Sequence, residues 1–238
     1  MPIERCSQEE LEKERTPSEL WDWLIQKVKQ ICSTEEGLKD FRLQRGLLKK
    51  LPEEIAPLAI FGNRKFGDTD QVLLQPVIGN QNYDAKIIDK RTKPASVTYI
   101  EITQAHEGEN DYWRRRELSE KGIVFSRAPV IKKGKGKNRL VSIPHQATSV
   151  EEGVKNELNR IIDAAKRKAG KHYPANTSLI VFFDDTLPFE EALKAINHTT
   201  IDSFVKKEIM NLELRFSQLY LVGQAKEIFR EYPINRQD

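Results

Sequence analysis

Two segments decide how this chain folds: Tyr83-Asp84-Ala85-Lys86-Ile87-Ile88-Asp89 and Val97-Thr98-Tyr99-Ile100-Glu101-Ile102-Thr103-Gln104-Ala105. The turn-rich Lys90-Arg91-Thr92-Lys93-Pro94-Ala95 joins them. Polar and apolar residues alternate along both, which is the signature of half-buried strands. An antiparallel hairpin with its turn centred between Thr92 and Lys93 sets Asp84 opposite Glu101. Opposed residues in such a pair have Cβ atoms about 4.5–5.5 Å apart. Asp84, Lys86 and Ile88 then share a face with Val97, Tyr99, Glu101 and Thr103, while Ala85, Ile87, Ile100 and Ile102 face a core. Two carboxylates held that close repel each other unless something positive lies between them. A hard divalent cation, Mg²⁺ or Mn²⁺, bound by Asp84 and Glu101 and completed by water, answers that need.

Outward from this hairpin, further elements can be read. Thr16-Pro17-Ser18-Glu19 is a capping box with proline at the first helical position, followed by Leu20, Trp21, Leu24, Ile25, Val28, Ile31 and Cys32 at helical spacing. Ser33 and Glu36 propose a second box, opening a helix that uses Leu38, Phe41, Leu47 and Leu48. Pro52 and Pro57 bound a short turn carrying Glu53 and Glu54. Gln71 to Ile78 reads as a strand, with Pro76 pointing to an edge or a bulge. After the decisive pair come a helix from His106 to Lys121, stopped by Gly122, and a hairpin of Ile123–Ile131 and Arg139–Ile143 around a Lys/Gly tip. Ser149 and Glu152 open a long helix, and Ser178 to Phe183 is a buried strand. Helices at Pro188–Ile196 and Ile201–Leu212, a strand at Gln218–Val222 and a terminal helix complete the pattern. The expectation is one α/β domain over 1–238: a helical part at 1–60, then a core at 61–238 with a mixed central sheet flanked by helices.

Composition narrows the function classes. The 238 residues carry 39 Lys+Arg against 36 Asp+Glu, a net +3, so any nucleic-acid footprint must be local. Cys6 and Cys32 are too few for a disulfide framework. No signal-peptide pattern and no run of about 18 apolar residues is found, so the expectation is a cytoplasmic protein without a membrane partner. Local basic groups are Arg114-Arg115-Arg116 on the helix after Glu101, and Lys132, Lys133, Lys135, Lys137 and Arg139 at the hairpin tip. Both suit phosphate contact, and a solvated surface explains either one equally well. Lys166-Arg167-Lys168 at the end of the long helix is accounted for by the helix dipole. The histidines His106, His145, His172 and His198 lack metal-ligand spacing. No phosphate-binding glycine loop, serine elbow or CxxC is present.

The order of elements, with Asp84, then Glu101-Ile102-Thr103, then Tyr112-Trp113-Arg114-Arg115-Arg116-Glu117, resembles the PD-(D/E)xK, or restriction-endonuclease-like, nuclease superfamily. Tyr99 to Ala105, Lys121-Gly122, Tyr173 and Leu179-Ile180-Val181-Phe182-Phe183 are similar to a bacterial branch of it, and the likeness covers roughly Leu38 to Val222. It implies that Asp84 and Glu101 hold the metal and that the residue two after Glu101 helps activate water. That residue is Thr103 rather than lysine, and a hydroxyl supplies neither positive charge nor a base. Lys86 or Arg114 is expected to stand in, and Glu53 or Glu54 matches the extra helical acid of some members. A rival reading takes Asp84-Ala85-Lys86 as the DxK, with Asp70 as the upstream acid. The implied activity is Mg²⁺-dependent phosphodiester hydrolysis of DNA or RNA, with Arg114, Arg115, Lys132, Lys133, Lys135 and Lys137 on substrate. The alternative is a catalytically degenerate module binding nucleic acid or protein, part of a defence or toxin system.

Overall fold

The computed structural model describes residues 5–125, 127–134, 139–144, 146, 148–197 and 200–234. Its N-terminal part is helical. After α1 (Gln8–Glu12), α2 (Pro17–Ile31) starts at the capping box: the Thr16 hydroxyl accepts the Glu19 N–H, and the Glu19 carboxylate accepts the Thr16 N–H. Helix α3 (Glu35–Arg42) is capped by Thr34, one residue later than the Ser33 box anticipated, because the Thr34 hydroxyl reaches the Gly37 N–H. The helix expected to run on through Leu47 and Leu48 is broken, with those residues in a separate 3₁₀ turn, Gly46–Lys49. Pro52 and Pro57 do not bound an isolated turn. Leu51–Ile55 is a π-turn that runs directly into α4 (Ala56–Phe66), because both prolines sit in first turns, where a missing N–H costs nothing.

The sheet has six strands: β1 (Val72–Pro76), β2 (Ala85–Asp89), β3 (Ser96–Gln104), β6 (Thr177–Phe183), β7 (Gln218–Gly223) and β8 (Phe229–Pro233), in that spatial order. The pairs β1–β2, β2–β3 and β7–β8 are antiparallel, while β3–β6 and β6–β7 are parallel. This is a mixed sheet in an α/β fold. Pro76 ends an edge strand, where no neighbour needs its missing donor. The last segment is the strand β8, not a helix. Lys226 turns the chain at φ 67, and 229–233 adds to β7 as an edge.

The two faces of the sheet are covered differently. On one, α2 and α4 bury Ile87, Ile100, Ile102, Ile180, Phe182 and Tyr220. On the other, α6 (Val150–Lys166), α7 (Phe189–Asn197) and α8 (Ile201–Phe204, continued by a π-turn to Ile209) cover Leu179, Val181, Phe183, Leu219 and Leu221 of β6 and β7. None of the buried residues of that second core comes from β1 or β2. The second face is therefore roofed over its β6–β7 half, and β3 lies at the border of the roof.

Between β3 and α6 the chain forms α5 (Glu109–Lys121), ended by Gly122 at φ 76 as the sequence suggested, and a small two-stranded ladder of β4 (Ile131–Lys133) and β5 (Leu140–Ser142). The anticipated first arm, from Ile123, is not extended until Ile131. Among the described residues no helix is long and apolar enough to cross a membrane.

Candidate active site

The β2–β3 register pairs Ala85 with Ile100 and Lys86 with Tyr99. Continued one step, that register leads to Asp84 and Glu101, and the Asp84 charge is felt at the Glu101 carboxyl. Asp84 precedes β2 and ends its ladder. Its N–H donates to the Ile100 carbonyl at 2.7 Å, and its Oδ2 accepts the Ile102 N–H at 2.7 Å. The carboxylate thus takes a β3 donor that the departing strand no longer reaches, which fixes the side chain along the sheet edge.

Glu101 shares its face with Leu179 and Thr103 with Val181, by the β3–β6 register. Both are buried, at 8% and 6% exposure. They lie where the α6 roof begins, and from its far end comes Lys168. The Lys168 Nζ donates to Glu101 Oε1 at 2.5 Å. Sequence reading accounted for Lys168 by the helix dipole alone. The signal it missed is the antiparallel course of α6 over β3, which no local pattern carries.

On the other flank is Glu54, in the π-turn before α4. Its Oε1 is ion-paired with Lys50, and its Oε2 is buried with no hydrogen-bond partner. Tyr173 also turns an unpartnered hydroxyl into the interior, its ring packed 4.4 Å from Phe216.

The electrostatics tie these groups together. Burial, then the Asp84 charge, pushes Glu54 up to about 7 despite Lys50. Burial raises Asp84 against the Ile102 hydrogen bond and the Lys168 and Lys50 charges. Burial, then Asp84, raises Glu101, with Lys168 opposing. The Tyr173 hydroxyl is raised by burial and then by Glu101 and Asp84. Three acids and two lysines therefore sense one another, with Asp84 in the middle.

The remaining sequence candidates fall elsewhere. Lys86 is on the Asp84 face, but its Nζ lies 5.9 Å over the Tyr83 ring. Arg114 is 6% exposed and does not stand in for the missing lysine. Its guanidinium is spent on Glu107, Asp111 and the Ala128 carbonyl. Asp70 lies beyond the Val72–Asp89 end of the β1–β2 pair, remote from Asp84, so the rival DxK set is not assembled. Lys132 and Arg139 pair with Glu109 of α5 rather than with the carboxylates, and Lys133 is exposed. Lys135 and Lys137 lie outside the described residues. Arg115 lines a separate cavity.

No protein-family model matches the chain, and neither a curated protein nor a solved structure matches it.

Whether these acids suit a divalent cation is a question of donors. Among the described residues no three His, Cys, Asp or Glu side chains are grouped to hold a metal by themselves. Mg²⁺ does not require that, since one or two carboxylates with several waters suffice. Asp84 Oδ1 and Glu101 Oε2 accept no hydrogen bond from any described residue, and the orphaned Glu54 Oε2 lies in a turn packed on β3. The donor set fits a hard cation.

Glu54 also makes a prediction about stability. Its folded value of about 7 exceeds the ordinary value of 4.5, so the native state holds more protons than the unfolded one between those limits. Stability then falls as pH rises from about 4.5 to 7, by on the order of 1–3 kcal/mol. Glu54→Gln should flatten that slope in denaturant titrations. A variant with the wild-type slope would remove Glu54 as its source.

Proposed function

We propose that this chain is a divalent-metal-dependent phosphodiesterase acting on nucleic acid. The observation that carries the reading is the convergence of Lys168 on the buried Glu101, beside Asp84, where the α6 roof begins over β3. Asp84 and Glu101 would hold the ion, with Glu54 behind Asp84. A bound Mg²⁺ or Mn²⁺ supplies charge neutralisation at phosphate and a water of lowered pKa.

What the residues do follows from their surroundings. The Asp84 carboxylate is anchored through Oδ2 by the Ile102 N–H, which leaves Oδ1 as the oxygen available to an ion. Lys168 brings an ammonium to the Glu101 face, the charge that the position of Thr103 lacks. Such a charge stabilises an attacking oxygen or the phosphate oxygens as negative charge grows on them. Glu54, partly protonated near neutral pH, limits the repulsion that Asp84 meets.

A second reading, a binding module on a degenerate site, is favoured by one specific observation: Lys168 already occupies Glu101 Oε1. A cleavage assay on single- and double-stranded DNA and RNA, with Mg²⁺ or Mn²⁺ and then with chelator, separates the two. Cleavage that appears with metal and vanishes with chelator supports the nuclease reading. Nucleic-acid binding that persists in chelator without any cleavage supports the module.

A further inference from the structure

A cavity of about 450 Å³ opens beyond the carboxyl ends of β3 and β6, under α5. Gln104, Ala105 and His106 from the end of β3, and Phe182 to Asp184 from the end of β6, form its floor. In α/β sheets the crevice outside the carboxyl ends of parallel strands is where ligands are held. The volume is within the range of small-molecule sites and admits a nucleotide-sized ligand.

Four arginines line this cavity: Arg114, Arg115, Arg127 and Arg160. Three of them are tied into an ionic lattice. Arg114 bridges Glu107 and Asp111, Arg160 bridges Glu107 and Glu157, and Arg127 pairs with Asp184. Each acid of the lattice is thereby engaged. Arg115 stands apart, with no ion pair or hydrogen bond to any described residue. Its Nε is buried and unsatisfied, and so is the Nε of Arg127. Two arginines that line one cavity, each with an Nε–H lacking an acceptor, are an unusual arrangement, since buried polar groups are normally paired. Planar arginine donors match the oxygens of a phosphate in two-point contact. Burial also pushes Glu157 up to about 8, so its neutral form leaves the lattice with surplus positive charge near neutral pH.

We propose that the cavity at the carboxyl ends of β3 and β6 binds a phosphate group through Arg115 and Arg127. The phosphate comes either from free inorganic phosphate or from the terminal monoester of a nucleotide or nucleic-acid strand. The site is separate from the Asp84 and Glu101 carboxylates and needs no metal, so it stands whether or not the phosphodiesterase reading holds.

Calorimetric titration of the full chain in chelator tests this, with inorganic phosphate, the dinucleotide pTpT and unphosphorylated TpT as probes. Arg115→Gln is the informative variant, because Arg115 supports no described partner and its loss leaves the lattice intact. The expected result is binding of phosphate or pTpT at least about tenfold tighter than of TpT, weakened at least about tenfold by Arg115→Gln. Affinity for pTpT above that for inorganic phosphate identifies a nucleotide end as the source. Equal affinities identify free phosphate. Equal binding of pTpT and TpT together with no binding of phosphate, or phosphate binding unchanged in Arg115→Gln, overturns the proposal. Because divalent metal is absent throughout, a failure here is distinct from a failure to cleave.

Discussion

Asp84→Asn and Glu101→Gln are each expected to lower Mg²⁺-dependent cleavage by about 10²–10³-fold or more, the scale seen when a charge-stabilising group is taken from an active site. The two variants should differ in stability. Asp84→Asn keeps an oxygen for the Ile102 N–H, so the end of the β2–β3 ladder survives and the thermal midpoint should move little. Glu101→Gln leaves Lys168 without its anion in a partly buried place, where breaking a pair is costly, at about 3 kcal/mol. Measuring rate and thermal midpoint together therefore separates lost chemistry from lost fold. Asp84→Asn at the wild-type rate would remove Asp84 as a metal ligand, and the same rate in Asp84→Asn combined with Glu54→Gln would end the phosphodiesterase reading, because Glu54 is the acid beside Asp84.

The register behind this prediction was legible in the residues alone, and for a physical reason. Strand alternation fixes which residues share a face, and a turn centred between Thr92 and Lys93 fixes which residues oppose. Together they give the pairing seen from Ala85–Ile100 to Asp89–Ser96, whose next step is Asp84 and Glu101. The buried run from Ser178 to Phe183 was equally plain, since a strand covered on both faces has no polar side to show, and the strand observed starts one residue earlier at Thr177. Helix α4 was not. Pro52 and Pro57 look like boundaries in a linear reading, and only the geometry shows each of them in a first turn. The C-terminal segment failed differently. Its residues do not forbid a helix, but the free edge of β7 takes Phe229–Pro233 as a strand, a tertiary demand that overrides local preference. Lys168 is the instructive miss. It lies 67 residues from Glu101 in sequence, and its local setting at a helix end already gave it an adequate role. Nothing within α6 says that the helix lies antiparallel over β3, and that packing alone delivers the ammonium. Arg114 erred in the opposite direction. Its sequence position near the site was right, but Glu107, Asp111 and the Ala128 carbonyl consume it.

Lys168→Gln should reduce cleavage by about 10²-fold, and adding Thr103→Lys should restore at least about tenfold of that loss. Position 103 lies two residues after Glu101 on the same face, so a lysine there presents its ammonium to the carboxylates from the strand instead of from α6. Thr103 is 6% exposed, and the longer side chain must thread past the α6 roof. The double variant is therefore expected to be less stable than Lys168→Gln while being faster, a combination that a purely structural role for Lys168 does not produce. Lys168→Arg sharpens the test, because it keeps the charge and the ion pair but replaces the compact ammonium with a planar guanidinium. Activity retained in Lys168→Arg means that charge is what the site requires. Activity lost there but recovered in the double variant means that the ammonium itself is required. The degenerate-site reading predicts the reverse order: Lys168→Gln frees Glu101 Oε1, tightens Mg²⁺ binding in a calorimetric titration, and leaves cleavage absent in every variant. An ion pair that fills a metal ligand's place and an ion pair that assists it look alike at 2.5 Å. They part company only when the lysine is removed and metal affinity and rate move in opposite directions.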